Sequence, residues 1–377
     1  MNPLVKLQDY GQSIWYDNIE RRLLTGGGLA QMIAEDGVLG LTSNPTIFEK
    51  AISNSHDYDS EISALGAAGR SVSHIYEELT IDDIRRATDL LRPVYDRTQG
   101  YDGYASLEVS PHLAFDTEGT VAEARRLFAK VDRPNLMIKV PGTPEGAVAL
   151  ETLIGDGINV NVTLLFAQSA YETAAHAYIR GLEKLAAAGG DLSRVASVAS
   201  FFVSRIDNSA DQQINTKLAA ITDAVGQAAL RALLGQTAVA NSKLAYASFQ
   251  RIFGSERFQR LQSQGARVQR LLWASTSTKN PAYSDTMYVE PLIGPETVNT
   301  VPQVTLDAYR DHGDPQPGTV MQDVDGAAAH MTALAAAGIS LDAITADLLA
   351  QGVVAFAKSY DQLFAVINEK KARLAAD

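Results

Sequence analysis

Eight short apolar runs, rich in β-branched residues, recur along the chain, and polar turns and amphipathic segments separate them. They are Ser13–Asp17, Val38–Asn44, Tyr104–Ser110, Leu136–Pro141, Ile158–Phe166, Val195–Val203, Arg270–Ser277 and Met287–Ile293. The segments between them carry helical periodicity. Thr120–Val131, for example, places Val121, Ala124, Leu127, Phe128 and Val131 on one stripe. The segment from Phe166 reads as a long helix ended by Gly189 and Gly190. Strands alternating with helices give an α/β fold, because parallel strands need long crossovers. Eight such units predict a (β/α)8 TIM barrel with extra helices. The rival is an open doubly wound sheet, but no G-x-G-x-x-G or G-x-x-x-x-G-K-[ST] loop follows a strand. The expected organisation is a single barrel domain over residues 1–377. A helical insertion of two or three helices is expected near 209–269, and a helical tail near 303–377.

Charge and composition narrow the function. The chain is 377 residues long with a formal net charge of −12. Such a surface repels nucleic acid and anionic membrane, so an anionic substrate would need a local basic cluster. With no cysteine, disulfides, thiol nucleophiles and thiolate metal sites are excluded. The histidines show no H-E-x-x-H and no close ligand pair, so no metal and no cofactor are expected. The first residues lack an apolar signal-type core, and no apolar run is long enough to span a bilayer; the expected location is cytoplasmic. "NVT" at 161–163 matches a glycosylation sequon and is read as chance.

In a barrel of this type, reacting groups sit at the C-terminal ends of the strands. Asp17, Asn44, Glu108 and Lys139 end or nearly end the first four runs. Asn161 and Thr163 alternate inward on the fifth. Ser200 lies in the sixth with Arg205 just after it, and Ser275 lies in the seventh with Lys279 following. A lysine held among apolar side chains is disfavoured as an ammonium. A neutral amine attacks a carbonyl and forms a Schiff base, which makes Lys139 the candidate nucleophile. Carbinolamine formation and dehydration need proton transfers, which Glu108 and an ordered water would supply. Carbon–carbon cleavage needs a base for a hydroxyl proton, and Asp17 is the candidate. Arg205 and Lys279 would hold a phosphate, with Ser275 donating a hydrogen bond.

Each residue also has a plainer reading. Lys139 would lay its stem on the core and keep its head in water. Asp17 would cap a helix beginning near Asn18. Asn44-Pro45 would be only a turn. Glu108 would pair with an arginine, and Arg205 with Asp207. The coincidence of so many polar residues at strand ends favours a site.

Several blocks resemble a known family. "GLTSNPTIFEKAI" (40–52), "LEVSPHLAFDT" (107–117), "LMIKVPGTPEG" (136–146), "GINVNVTLLF" (157–166), "ASFFVSRID" (199–207) and "WASTSTKNPAYSDTMYVEPLIGPETVNTVP" (273–302) are similar to the blocks of transaldolases, in the same order. The last resembles the longer bacterial branch. The resemblance runs from Ser13 to the C-terminus. It implies a metal-free, lysine-dependent barrel enzyme of the pentose phosphate pathway, one that moves a dihydroxyacetone unit between sugar phosphates. It implies that Lys139 is the Schiff-base lysine and Asp17 the acid/base. Glu108 and Thr163 would handle a catalytic water, while Asn44 and Asn161 hold donor hydroxyls and the intermediate. Ser200 would line the pocket, and Arg205 and Ser275 would contact phosphate. Many members carry an arginine shortly after the serine of strand seven. Here "STSTKN" offers Lys279, a point charge where arginine is a fork. Plain aldol cleavage of fructose 6-phosphate and non-catalytic sugar-phosphate binding remain alternatives, and monomer and homodimer are both open.

Overall fold

The computed structural model describes residues 2–375; Met1 and the last two positions of the expected tail lie outside the described residues. The strands are β1 (Gln12–Tyr16), β2 (Gly40–Leu41), β3 (Ala105–Glu108), β4 (Leu136–Pro141), β5 (Val160–Leu165), β6 (Ser197–Phe202), β7 (Arg270–Ala274) and β8 (Thr297–Val301). They form one closed, parallel barrel in sequence order. Full closure leaves no unpaired edge. The strands are buried along their whole length, so both of their faces lie in the interior. That is why they read as runs rather than alternations.

Seven of the eight expected strands overlap observed ones, and β4 coincides with its run. The eighth does not. Met287–Ile293 forms a turn and a short 3-10 segment, Glu290–Leu292, and the barrel closes through Thr297–Val301. Pro291 has no N–H to give a central ladder, which disqualifies the earlier run. That run is apolar because it is buried: Tyr288, Val289, Leu292 and Ile293 all lie in the core. The Leu292 carbonyl accepts from Trp273 Nε1 and Gln12 Nε2 and so pins this segment to β7 and β1.

Period-two geometry distributes the interior side chains. Trp15 and Asp17, Met137 and Lys139, and Val198 and Ser200 are i, i+2 pairs that share a face. The first member of each pair lines a cavity at the N-terminal end of the barrel, and the second lines one at the C-terminal end. Gly40 belongs to the same packing problem. A Cβ there would fall 2.5 Å from the Trp15 indole, so only glycine lets β2 approach β1.

The N-terminal end is closed by a buried ion pair. Arg270 Nη1 lies 3.1 Å from Asp102 Oδ1, and its Nη2 donates to Ser13 Oγ and the Thr297 carbonyl. Asp102 also accepts from Ser13 Oγ and Trp15 Nε1.

The stretch 209–269 holds more helices than expected. Ser204–Ala220, Ala224–Arg231, Thr237–Phe253 and Glu256–Gln262 follow β6. The long helix before β6 is Gln168–Ala187, and Gly189 follows in a left-handed conformation with Gly190 N–H on the Leu185 carbonyl. After β8 come Gln303–His312, Val324–Ala336 and a final helix, Leu341–Leu374. The final helix turns back over the C-terminal end of the barrel and packs on Pro45–Ser53, Asp59–Ala67 and Ser204–Ala220. No single helix among the described residues is long and apolar enough to cross a membrane; the last two meet that test only when joined, and they meet at 90°.

Truncating Asp102 to alanine would leave Arg270 charged and unpaired in the core. We expect a loss of roughly 3–5 kcal/mol of stability, seen as a lower urea midpoint, with turnover per folded molecule retained.

Candidate active site

The register of the sheet assembles the site. Lys139 on β4 is level with Glu108 on β3 and with Asn161 on β5. Pro141 ends β4, and Thr143 caps the following helix, Pro144–Gly155, by accepting from Gly146 N–H. A side chain at Gly146 would collide with the Pro141 carbonyl, so the strand can turn this sharply only with glycine there. The turn leaves Lys139 two residues below the rim.

Lys139 is 4% exposed, which removes the reading of a stem on the core with its head in water. Its Nζ donates to the Ser43 carbonyl at 3.2 Å and lies 3.6 Å from Glu108 Oε2. The ring of Phe356 lies 5.9 Å away on another side. Glu108 has no arginine partner among the described residues. Its carboxylate oxygens and Thr163 Oγ1 are buried and make no hydrogen bond within the protein. Burial pushes the Glu108 carboxyl up to about 7, against the opposing pull of Lys139. A carboxyl in that range can give and take a proton near neutrality.

Asp17 does not cap a helix. The helix that follows begins at Arg21 with Glu20 at its cap position. Instead Asp17 accepts from Thr42 Oγ1 at 2.6 Å, and Thr42 shares a second contact with Thr300 Oγ1. Burial raises the Asp17 carboxyl, while Lys139 and the Thr42 hydroxyl lower it. Asn44 does cap: its Oδ1 accepts from Ile47 N–H at the start of Pro45–Ser53. Asn44-Pro45 is thus the start of a helix and not only a turn, and Asn44 also lines the cavity at the mouth of the barrel. Asn161 is fixed from two sides. Its Nδ2 donates to Ser106 Oγ and its Oδ1 accepts from Ser200 Oγ. It is fully buried, out of reach of glycosylation.

Arg205 is the second residue of Ser204–Ala220. Its expected surface partner is engaged elsewhere. Asp207 is buried and accepts from Ala238 N–H and Tyr288 Oη. Arg205 has no carboxylate partner among the described residues and packs on the Phe202 ring at 5.4 Å. Burial lowers its pKa. Ser275 adopts a left-handed φ of 55° at the end of β7, and its hydroxyl meets Ser204 Oγ at 3.0 Å. Lys279 Nζ reaches Ser277 Oγ.

One cavity of about 290 Å³ collects Asp17, Asn44, Lys139, Ser200, Arg205, Ser275 and Lys279. Glu108, Asn161 and Thr163 do not line it; they are buried, Glu108 and Asn161 level with Lys139 on the neighbouring strands. The cavity also takes Thr42, Lys50, Phe202, Thr300 and Phe356, which the strand-end argument missed. Thr42 adjoins Asn44 in the same block and Thr300 ends the true β8, so correct strand ends would have found both. Phe356 sits mid-helix and has no such signal. Lys50, Lys139, Arg205 and Lys279 outnumber Asp17, the one carboxylate in the lining, so this is a basic pocket in an acidic chain. A wider groove of about 630 Å³ near Leu230 and Ala333 is apolar, with one lysine and no carboxylate, and has none of this chemistry. Among the described residues, no group of three or more His, Asp or Glu could hold a metal ion.

Burying Glu108 gives stability a pH dependence. Its folded pKa, about 7, lies above the ordinary glutamate value of 4.5. The stability it contributes is present below the lower value and is lost as pH rises through the upper one. In Glu108→Gln, denaturant midpoints should fall less than in the native protein between pH about 4.5 and about 7. Parallel curves for the two proteins would contradict this.

Comparison with known proteins gives the family. The family model described as Transaldolase/Fructose-6-phosphate aldolase matches residues 14–367. A transaldolase of Trichodesmium erythraeum is 48% identical over 375 residues, covering 99% of this chain and 98% of the relative. One from Thiobacillus denitrificans is 50% identical over 368 residues, 98% and 100% of the two chains. One from Thermobifida fusca is 48% identical over 362 residues, 96% of each. A lysine buried at the end of a barrel strand, with two carboxyls nearby and an arginine in the same cavity, thus occurs in a chain that belongs to the transaldolase/fructose-6-phosphate aldolase family.

Proposed function

We propose that the protein is a transaldolase working through a Schiff base on Lys139, with a ketose phosphate such as fructose 6-phosphate or sedoheptulose 7-phosphate as donor. The observation that carries this reading is the buried Lys139 amine held between the Ser43 carbonyl and Glu108, at the floor of a basic cavity. The amine attacks the donor C2 carbonyl. Loss of water gives the iminium, and Glu108, with Thr163 beside it, moves the protons of that step through a water. Asp17 then takes the C4 hydroxyl proton while the C3–C4 bond breaks. The bonding electrons pass into the iminium and leave an enamine on Lys139, and the aldose phosphate departs. The enamine carbon attacks the aldehyde of an acceptor such as erythrose 4-phosphate or glyceraldehyde 3-phosphate, and Asp17 returns the proton. Water then adds to the new iminium, and the carbinolamine breaks down to release the ketose phosphate and the Lys139 amine.

Asn44 Nδ2 and Asn161 hold the hydroxyls of the three-carbon unit. Asn161 is held rigid by Ser106 and Ser200. The phosphate sits against Arg205, Ser275 and Lys279. Arg205 has no carboxylate partner among the described residues, which suits it to an anion, and the first turn of its helix adds oriented N–H groups.

Borohydride reduction in the presence of fructose 6-phosphate should trap a covalent adduct on the peptide that carries Lys139, and Lys139→Ala should abolish it. Asp17→Ala should still form the adduct but turn over roughly 10²- to 10⁴-fold more slowly. An adduct on another peptide, or an Asp17→Ala enzyme of full activity, would refute the assignment. Arg205→Ala should raise KM for phosphorylated donors roughly 10- to 100-fold, as expected for a lost charge-assisted contact, while rates with unphosphorylated fructose change little. Equal losses on both donors would remove Arg205 from the phosphate site.

A further inference from the structure

A transferase of this kind must keep a carbon nucleophile alive until its second substrate arrives. If the C3 carbon of the enamine on Lys139 takes a proton, the product is the iminium of dihydroxyacetone. Addition of water then frees dihydroxyacetone and the amine, and the transfer is lost. What prevents this is the exclusion of water and proton donors from the face of the intermediate.

The barrel alone does not close that face. Its interior around Lys139 is polar, with Glu108 and Asn161 on the neighbouring strands and Ser200 and Asp17 in the same end of the barrel. Closure comes from the far end of the chain. The helix Leu341–Leu374 lies over the C-terminal mouth and brings Phe356 into the cavity, with its ring centre 5.9 Å from Lys139 Nζ. The phenyl group is 5% exposed, so it is a wall and not a surface residue.

Several contacts hold this helix in place, and they come from different elements. Ser359 Oγ accepts from Thr46 Oγ1 on Pro45–Ser53, the helix capped by Asn44. Asp361 meets His112 Nε2 at 2.8 Å beyond the end of β3. Lys370 is buried and lies 2.7 Å from Asp59. β5 is shaped to receive the helix too. Its register slips between Val162 and Leu165, and Leu164 adopts a left-handed φ of 61°. Leu164 therefore meets the helix at Gly352, where a Cβ would come within 2.9 Å of it. Gly352 lies one helical turn before Phe356, so this close approach sets the depth of the phenyl ring.

We propose that Phe356 is a specificity-determining residue: it roofs the Lys139 enamine against protonation and so commits the three-carbon unit to transfer instead of release. This rests on the Schiff-base reading above. Phe356 supplies no proton and makes no bond. It excludes the water that would.

The test is a partition ratio. Each enzyme is given fructose 6-phosphate with and without erythrose 4-phosphate, and free dihydroxyacetone and sedoheptulose 7-phosphate are quantified. Phe356→Ala should raise the ratio of dihydroxyacetone release to transfer about tenfold or more, by admitting water to the enamine. Phe356→Leu keeps an apolar side chain without the flat ring, and its ratio should lie between native and alanine. Should the alanine variant fail to fold, as judged by circular dichroism and melting, the leucine variant carries the test alone. A ratio unchanged within about twofold in a folded variant that still forms the borohydride adduct would overturn the roof and leave the Schiff base intact. Loss of the adduct in the native protein would overturn the Schiff base itself.

Discussion

Everything in the active site follows from one alignment: Glu108, Lys139 and Asn161 lie side by side on adjacent parallel strands. A one-residue slip of β4 would turn Lys139 out of the barrel and bring Ile138 or Val140 into its place. The register is held by features remote from the chemistry. Gly40 lets β2 close on Trp15, Gly146 lets the chain turn after Pro141, and the Arg270–Asp102 pair locks β7 to β1 and β8 at the opposite end. The site is therefore a property of the closed barrel and not of a loop, and its geometry can be no looser than the ladder that carries it.

Electrostatics then divide the labour. Burial raises both the Asp17 and the Glu108 carboxyls, and the nearby Lys139 opposes that rise in each. Arg205 sits higher and is left without a carboxylate among the described residues. The partner it might have taken, Asp207, is committed to Tyr288 and Ala238. Arg205 is thus half-buried without a carboxylate partner among the described residues, while most of the other arginines are paired. An anion bound there would stabilise the folded protein.

How much of this was legible in the sequence depended on which residues carried it. The barrel could be read because strand-length apolar runs recur between helical stripes. Strand ends could be read for β4 because Pro141-Gly142 punctuates it. Met287–Ile293 misled because apolarity records burial and not pairing; Pro291 was the available warning. Asp17, Lys139 and Arg205 could be found as polar residues at strand ends, the place where a barrel does its chemistry. Thr42 and Thr300 lie at strand ends too, and Thr300 was missed because the eighth strand was placed too early in the chain. Phe356 was out of reach, since no local pattern tells which helix of a tail doubles back over the mouth of the barrel. Residue roles, in contrast to positions, came from family resemblance and from the pairing of side chains in space.

The placement of Phe356 has a consequence for biogenesis. The ribosome delivers Lys139 early and the last barrel strand, Thr297–Val301, late, but the helix Leu341–Leu374 later still. A barrel could close on the nascent chain while its lysine still lacked a cover. Such an intermediate would hold Lys139 and the basic side chains of the cavity without Phe356 over them. On the proposal that Phe356 roofs the enamine, docking of the final helix would make the enzyme selective, and the same event buries Lys370 against Asp59.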